Sequence, residues 1–397
     1  MRQKKKILFI NYSLHSGGIE KSLVTILSLF DYEKYDVDLQ LFANEGLFLK
    51  RVPKQVHLLE PLFPPEYRLN IRQAFWALLR KGHPLLAVCR LMVTIAGRRG
   101  TMGERLGRMW RTERHFVKPA SCKYDAAIAF MEGQPIYYNI TKVKSHIKIG
   151  FIHGDYEAMG LDSKTDRSYV DRLDALCTVS ESCLASLRRV FPEILEKCHV
   201  IYNIISERFM QSMADEGEGF TDNFSGLRIL SIARLSEQKG LDIAMPAIAA
   251  LKKQGFSFRW YIIGMGPEEG KLKSMAEELQ VKDCVFFLGE RANPYPYLKQ
   301  CDIYLQPSRF EGKSIAVDEA MVMRRPILLT DFSTASDQIK SGANGLIVPM
   351  SSEGVEDGLK MMLTDGDIRK KFTEALSKGN YSNEGELQKL YALIEGK

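Results

Sequence analysis

Short apolar runs alternate with longer amphipathic stretches along most of the chain. Runs at residues 6–11, 37–42, 124–130, 148–152, 175–180 and 197–203 have the length and boundaries of buried strands. A second series follows at 228–232, 258–263, 285–288, 303–306, 327–330 and 345–348. Between them lie helical patterns, such as 20–30, where Leu23, Ile26, Leu27 and Phe30 recur at the spacing of one helix face. Others fall at 181–190, 241–254, 354–363, 368–378 and 385–395. Strands alternating with helices predict parallel sheets covered by crossover helices, an α/β fold. Pro246 is expected near the first turn of its helix, where a missing N–H costs least.

The alternation breaks twice, and the breaks divide the chain. Residues 206–225 are acidic, carry Gly and Ser, and show no clear apolar period; they read as a linker between domains 1–205 and 226–375. Residues 68–118 read as two or three amphipathic helices inserted into the first domain, broken near 82–84 and 97–100. The insertion holds twelve Arg and Lys against only Glu104 and Glu113, with Trp76, Leu85, Leu91, Met92, Ile95 and Trp110 interleaved. Such helices either lie on an anionic membrane interface or pack their apolar face on their own domain. No nucleic-acid module is visible, and only this region is strongly basic.

At 397 residues the chain has room for two cores, and 45% hydrophobic and 26% charged residues are ordinary for a globular protein. Seven scattered cysteines without a C-x-x-C pair read as reduced thiols. The apolar run 7–10 behind the basic start is too short for a secretory signal. No run reaches the roughly 18 apolar residues of a membrane span. A cytoplasmic location, peripheral on the inner face of the cell membrane at most, is the expectation.

The candidate chemistry gathers at predicted strand ends. Glu311 falls in the loop after strand 303–306 and Glu319 in the first turns of the next helix. In a parallel sheet such loops line the ligand crevice. The amides of Ser314 and Ile315, at that helix start, are placed to hold a phosphate. Arg234 and Lys239 lie five apart in the loop after strand 228–232; a planar fork and a point charge together suit a diphosphate. Gly17-Gly18 forms a tight turn before a helix. Gly264-Met265-Gly266-Pro267 follows strand 258–263 but is not a dinucleotide fingerprint, since the third glycine, Gly270, comes one position late. His153 ends strand 148–152. Taken singly, each has an ordinary structural explanation, as helix-start acids, surface cations or loop residues. Neither D-x-D, at 36–38 and 365–367, suits a metal–diphosphate site, and no His/Cys cluster has ligand spacing, so no metal is expected.

The run from Ser308 through Arg309, Phe310, Glu311 and Gly312 to Glu319 and Ala320 resembles the S-R-x-E-G-x6-E-A signature of glycosyltransferase family 4. These are retaining transferases that use nucleotide sugars on the GT-B fold. Residues 233–240 are similar to that family's A-R-L-x-x-x-K-G diphosphate clamp. Gly17, Gly18 and Glu20 match its G-G-x-E turn, Gly264 and Gly266 its G-x-G-P loop, and 148–156 its central strand. Lys313-Ser314-Ile315-Ala316 depart from the Phe-Gly-Leu-Pro common in the family. The resemblance implies two Rossmann-like domains facing each other across a cleft, with residues 376–397 returning to the first. It implies that Glu311, His153, Arg234 and Lys239 serve catalysis. Gly17, Gly18, Gly264, Gly266, Ser314, Ile315 and Glu319 would bind the nucleotide sugar, a uridine diphosphate sugar ahead of a guanosine one. No further cofactor is implied; the partners are that donor and a lipid-linked or oligosaccharide acceptor in bacterial surface polysaccharide assembly. The competing readings are a nucleotide-sugar-binding membrane scaffold without transfer, and an epimerase or phosphorylase of the same architecture.

Overall fold

The computed structural model describes every residue except 1–3, 16 and 312. The chain divides into two compact units. The first comprises Met1–Ile204 and Gly385–Lys397, the second Ile205–Glu384.

The first unit is built on seven strands: β1 (Lys5–Asn11), β2 (Tyr35–Leu41), β3 (Val56–Leu58), β4 (Lys123–Ala129), β5 (Lys144–Ile152), β6 (Ala175–Thr178) and β7 (Cys198–Val200). They pair in the order β3-β2-β1-β4-β5-β6-β7, and every pairing is parallel. Ile7 faces Val37 on one side and Ala126 on the other. Ile7, Leu8, Phe9 and Ile10 are all fully buried, because helices cover both faces of the sheet. The final helix, Glu386–Ile394, adds Leu387, Leu390 and Ile394 to this core. Its Tyr391 stacks on Tyr35 with ring centroids 5.3 Å apart, and the Tyr391 hydroxyl accepts the Asp31 amide at 2.8 Å.

The insertion forms three helices, Ile71–Arg80, Pro84–Ala96 and Met102–Glu113, with breaks where Gly82 and Gly97–Gly100 interrupt the pattern. Thr101 and Glu104 close a reciprocal capping box at the start of the third. Gly103 and Gly107 let that helix pack closely on Leu161–Thr165: a Cβ on Gly103 would stand 2.0 Å from the Asp162 nitrogen.

The second unit holds β8 (Leu227–Ile232), β9 (Phe258–Ile263), β10 (Val285–Gly289), β11 (Ile303–Gln306), β12 (Ile327–Thr330) and β13 (Leu346–Val348), again all parallel, in the order β10-β9-β8-β11-β12-β13. Two expectations need correction here. Residues 206–225 are not a free linker. Ser206 caps a helix, Glu207–Asp215, that buries Met210, Met213 and Ala214 in the second unit. Further on, Asp222 pairs with Arg228 and Arg259. The acidic residues hid a short apolar face. Pro246 sits in the second turn of the helix Leu241–Lys253, not the first. It lies on the exposed side, where water can take the carbonyl its missing N–H leaves unpaired.

Candidate active site

In the second sheet the strand order reverses between β8 and β11, and the crevice beyond their carboxyl ends is where such folds bind ligands. Two loops meet there. One follows β8 and carries Arg234 and Lys239; the other follows β11 and carries Glu311. Arg309 ties them together with a two-pronged ion pair to Asp242, both bonds 2.7 Å, and with a bond to the Glu237 carbonyl. The Arg309 amide donates to the Gln238 carbonyl, and the Gln238 side chain donates to the Phe310 carbonyl. Gly240, at φ +61°, lets them close, since a Cβ there would lie 1.9 Å from the Pro307 carbonyl oxygen.

This stapling brings Lys239 onto Glu311. Its ammonium lies 2.6 Å from Glu311 Oε1, with the two side chains 21% and 6% exposed. The same oxygen accepts Gln306 Nε2 at 2.8 Å and Ser308 Oγ at 2.7 Å. Lys239 has three N–H donors and gives one to Glu311, so two remain for a ligand oxygen. Arg234 is exposed, and its guanidinium makes no hydrogen bond or ion pair among the described residues.

Glu319 is buried in the helix Ile315–Val322, and its Oε1 accepts the Tyr295 hydroxyl at 3.0 Å. Burial, reinforced by the Glu319 charge, holds that phenol far above its usual range, so it stays a donor. The expectation for Ser314 needs correction. Its amide does not point into an open crevice: it donates to Gln338 Oε1 at 3.1 Å, while Gln338 Nε2 donates back to the Ser314 carbonyl. The Ile315 amide makes no bond among the described residues.

Gly264 and Gly266 meet protein backbone. A Cβ on Gly264, at φ +142°, would lie 2.0 Å from the Ala233 carbonyl oxygen, and one on Gly266 2.2 Å from that of Leu235. These glycines therefore press the loop after β9 against the loop that carries Arg234. Sequence reasoning missed Gln306, Ser308, Tyr295 and Gln338 as site-building residues. Gln306 left a signal, a polar residue ending an otherwise apolar strand.

The remaining expected residues belong to the first unit. Gly17 precedes the helix Gly18–Leu29, and the Glu20 carboxylate folds back over it. His153 follows β5, packed by Phe130 and Phe151. Its backbone amide donates to Glu132 Oε2 at 3.3 Å. Burial pushes the imidazole down to about 4, so it is neutral at pH 7. Its Nε2 lies 3.0 Å from the Phe130 carbonyl, which can only accept, so the proton sits on Nε2 and Nδ1 keeps its lone pair. Burial also raises Glu132 and Glu20, which repel each other.

Known proteins share stretches of this sequence and its fold. The family model for glycosyl transferases group 1 matches residues 224–378, most of the second unit. A Campylobacter jejuni protein, N-acetylgalactosamine-N,N'-diacetylbacillosaminyl-diphospho-undecaprenol 4-alpha-N-acetylgalactosaminyltransferase, is 25% identical over 370 residues, 93% of each chain. The amylovoran biosynthesis glycosyltransferase AmsK of Erwinia amylovora is 34% identical over 149 residues, 36% of this chain and 37% of that one. The Anabaena HepE structure in complex with UDP-glucose superposes with a TM-score of 0.66 at 16% identity, covering 99% of this chain and all of that one; at this identity the likeness is one of fold. Fold and relatives point to one class: the chain has the GT-B fold, and the proteins it matches are glycosyltransferases. Of these two relatives, one is named for amylovoran biosynthesis and the other for transfer to a diphospho-undecaprenol-linked sugar.

Proposed function

We propose that the protein is a retaining, metal-independent hexosyltransferase that moves a sugar from a uridine diphosphate donor to a lipid-linked or oligosaccharide acceptor in bacterial surface polysaccharide assembly. The observation that carries this reading is the Lys239–Glu311 pair at the β8–β11 reversal, with an unengaged Arg234 in the same loop. Cleavage of the donor's bond between C1 and the phosphate oxygen leaves negative charge on the diphosphate. Arg234 and the two remaining Lys239 donors offset that charge, and preset donors of this kind lower barriers because they need not reorganise. The Ile315 amide adds a donor at a helix start. Glu311, fixed by three donors, presents its other oxygen to the sugar hydroxyls and screens the positive charge that builds at C1. The acceptor oxygen bonds to C1 on the face the phosphate leaves, and the acceptor's proton passes to the departing phosphate oxygen. Glu319, oriented by Tyr295, binds the ribose hydroxyls. His153 offers Nδ1 to a sugar hydroxyl. The donor complex of HepE supports the choice of uridine, and the Campylobacter jejuni relative supports a polyprenyl-diphosphate-linked acceptor.

A panel of nucleotide sugars, each assayed for nucleoside diphosphate release with and without extracted lipid-linked acceptors, tests this. Acceptor-stimulated release from a uridine diphosphate sugar, with the anomeric configuration kept in the product, is the expected result. Tight nucleotide binding without turnover would instead make the protein a scaffold.

A further inference from the structure

The three inserted helices each bury one face. Ala74 and Leu78 are covered on the first, Ala87, Cys89 and Val93 on the second, and Gly103, Gly107 and Trp110 on the third. The second helix, Pro84–Ala96, has another apolar face that stays exposed among the described residues. Leu85, Val88, Met92 and Ile95 follow one another at spacings of three, four and three, a single stripe along the helix, with Leu91 beside it. Their exposures reach 70% at Leu85, 50% at Met92 and 59% at Ile95, and Trp76 on the neighbouring helix is 60% exposed. Among the described residues fifteen large apolar side chains are exposed, and eight of them fall between Leu69 and Met102. Scattered exposed apolar residues need no explanation; a cluster marks a surface that meets something.

Charge says what. The insertion carries a net +10, twelve cations against two acids, while the whole chain carries +6, so the remainder is net negative. Both acids are engaged: Glu104 in the capping box, Glu113 buried with Tyr67 and Gln134. Several cations are also engaged. Arg90 donates to the Tyr67 and Leu69 carbonyls, Arg108 to the Ala96 and Arg99 carbonyls, Arg68 pairs with Glu45, and Lys81 with Glu66. Arg72, Arg80, Arg98, Arg99 and Arg105 are exposed and pair with nothing among the described residues. Arg80 precedes the apolar stripe and Arg98-Arg99 follow it. An apolar ridge between unpaired arginines matches the boundary between acyl chains and anionic headgroups.

We propose that the helix Pro84–Ala96 docks the protein on an anionic lipid bilayer, its stripe of Leu85, Val88, Met92 and Ile95 seated among the acyl chains. Arg72, Arg80, Arg98, Arg99 and Arg105 then lie at the headgroup level, and Trp76 at the interface where amphipathic rings settle. This stands on the insertion's own surface and does not depend on the donor site.

Vesicle flotation tests it on the full chain. Phosphatidylcholine vesicles containing phosphatidylglycerol should carry the protein up; phosphatidylcholine alone should carry far less. Leu85→Ser with Met92→Ser and Ile95→Ser, and separately Arg80→Gln with Arg98→Gln and Arg99→Gln, should each lower partitioning at least about tenfold. All six side chains are exposed, so both variants should keep the wild-type melting temperature and acceptor-free donor hydrolysis. Equal flotation of wild type and either variant would overturn the proposal, as would no preference for the anionic vesicles. So would light scattering that shows a wild-type dimer which the serine variant dissolves, since the ridge would then join two copies of this chain.

Discussion

Removing the Lys239 ammonium separates two roles that one contact combines. At 2.6 Å the attraction between Lys239 and Glu311 is about 6 kcal/mol at an effective dielectric constant of about 20, before desolvation is subtracted. Breaking a buried pair from one side costs roughly 3–5 kcal/mol, because the other charge stays behind. Here Gln306 and Ser308 still donate to Glu311, and Lys239 is partly exposed, so the cost of Lys239→Ala falls to about 2 kcal/mol. A neutral side chain at 311 needs no cation. Lys239→Ala combined with Glu311→Gln should therefore recover at least about 1 kcal/mol relative to the sum of the single changes. Turnover should behave differently. Each single variant should lose at least about tenfold, since about 1.4 kcal/mol is the least such an electrostatic contact gives, and the double variant should not recover. Urea denaturation and nucleoside diphosphate release on the four proteins measure both. Additive stabilities would show that the pair is not held as described. Recovered turnover in the double variant would make Lys239 a structural counter-ion only.

Other expectations follow from single contacts. Tyr295→Phe removes the hydroxyl that holds Glu319 and should raise the donor KM about fivefold with kcat little changed, about 1 kcal/mol in binding; steady-state kinetics read this, and an unchanged KM contradicts it. Gly240→Ala should destabilise by more than about 2 kcal/mol, whereas Gly255→Ala, at φ +84° with open space around it, should lose only about 1 kcal/mol; equal losses would refute the close-approach argument. Burial pushes Glu113 up to about 7 from 4.5, so the folded state holds a proton that the unfolded chain has released. That stability, about 3 kcal/mol, is present below the unfolded value and is lost as pH rises through about 7. Glu113→Gln should flatten the fall in melting temperature between pH 5 and pH 8, and an unaltered slope would contradict the assignment.

How much of this could be read from the sequence follows from how local each feature is. The meeting of Lys239 with Glu311 was legible because each sits at a fixed offset from a strand whose apolar run is unmistakable, and the strand order then carries their loops together. The three inserted helices were legible from Gly82 and Gly97–Gly100, but not which face is covered: Leu85 and Val93 look alike in a sequence, and only packing separates them. Tyr295 and Gln338 were invisible as site residues because they reach Glu319 and Ser314 from elements that lie 24 positions away. The same distance explains the Ser314 error, since a helix-start amide looks open until the neighbouring helix is placed. The helix Glu207–Asp215 was hidden by composition, its Met210–Met213 face being shorter than the acidic residues around it.

The most direct test of the central claim, that the β8–β11 crevice grips a diphosphate with cations from one loop, is calorimetric titration of uridine diphosphate into wild type and Arg234→Ala with Lys239→Ala. Wild type should bind, and the variant, with its fold retained, should bind at least about a hundredfold more weakly, roughly 2.7 kcal/mol for the two cations. Equal affinity in the two proteins would contradict it.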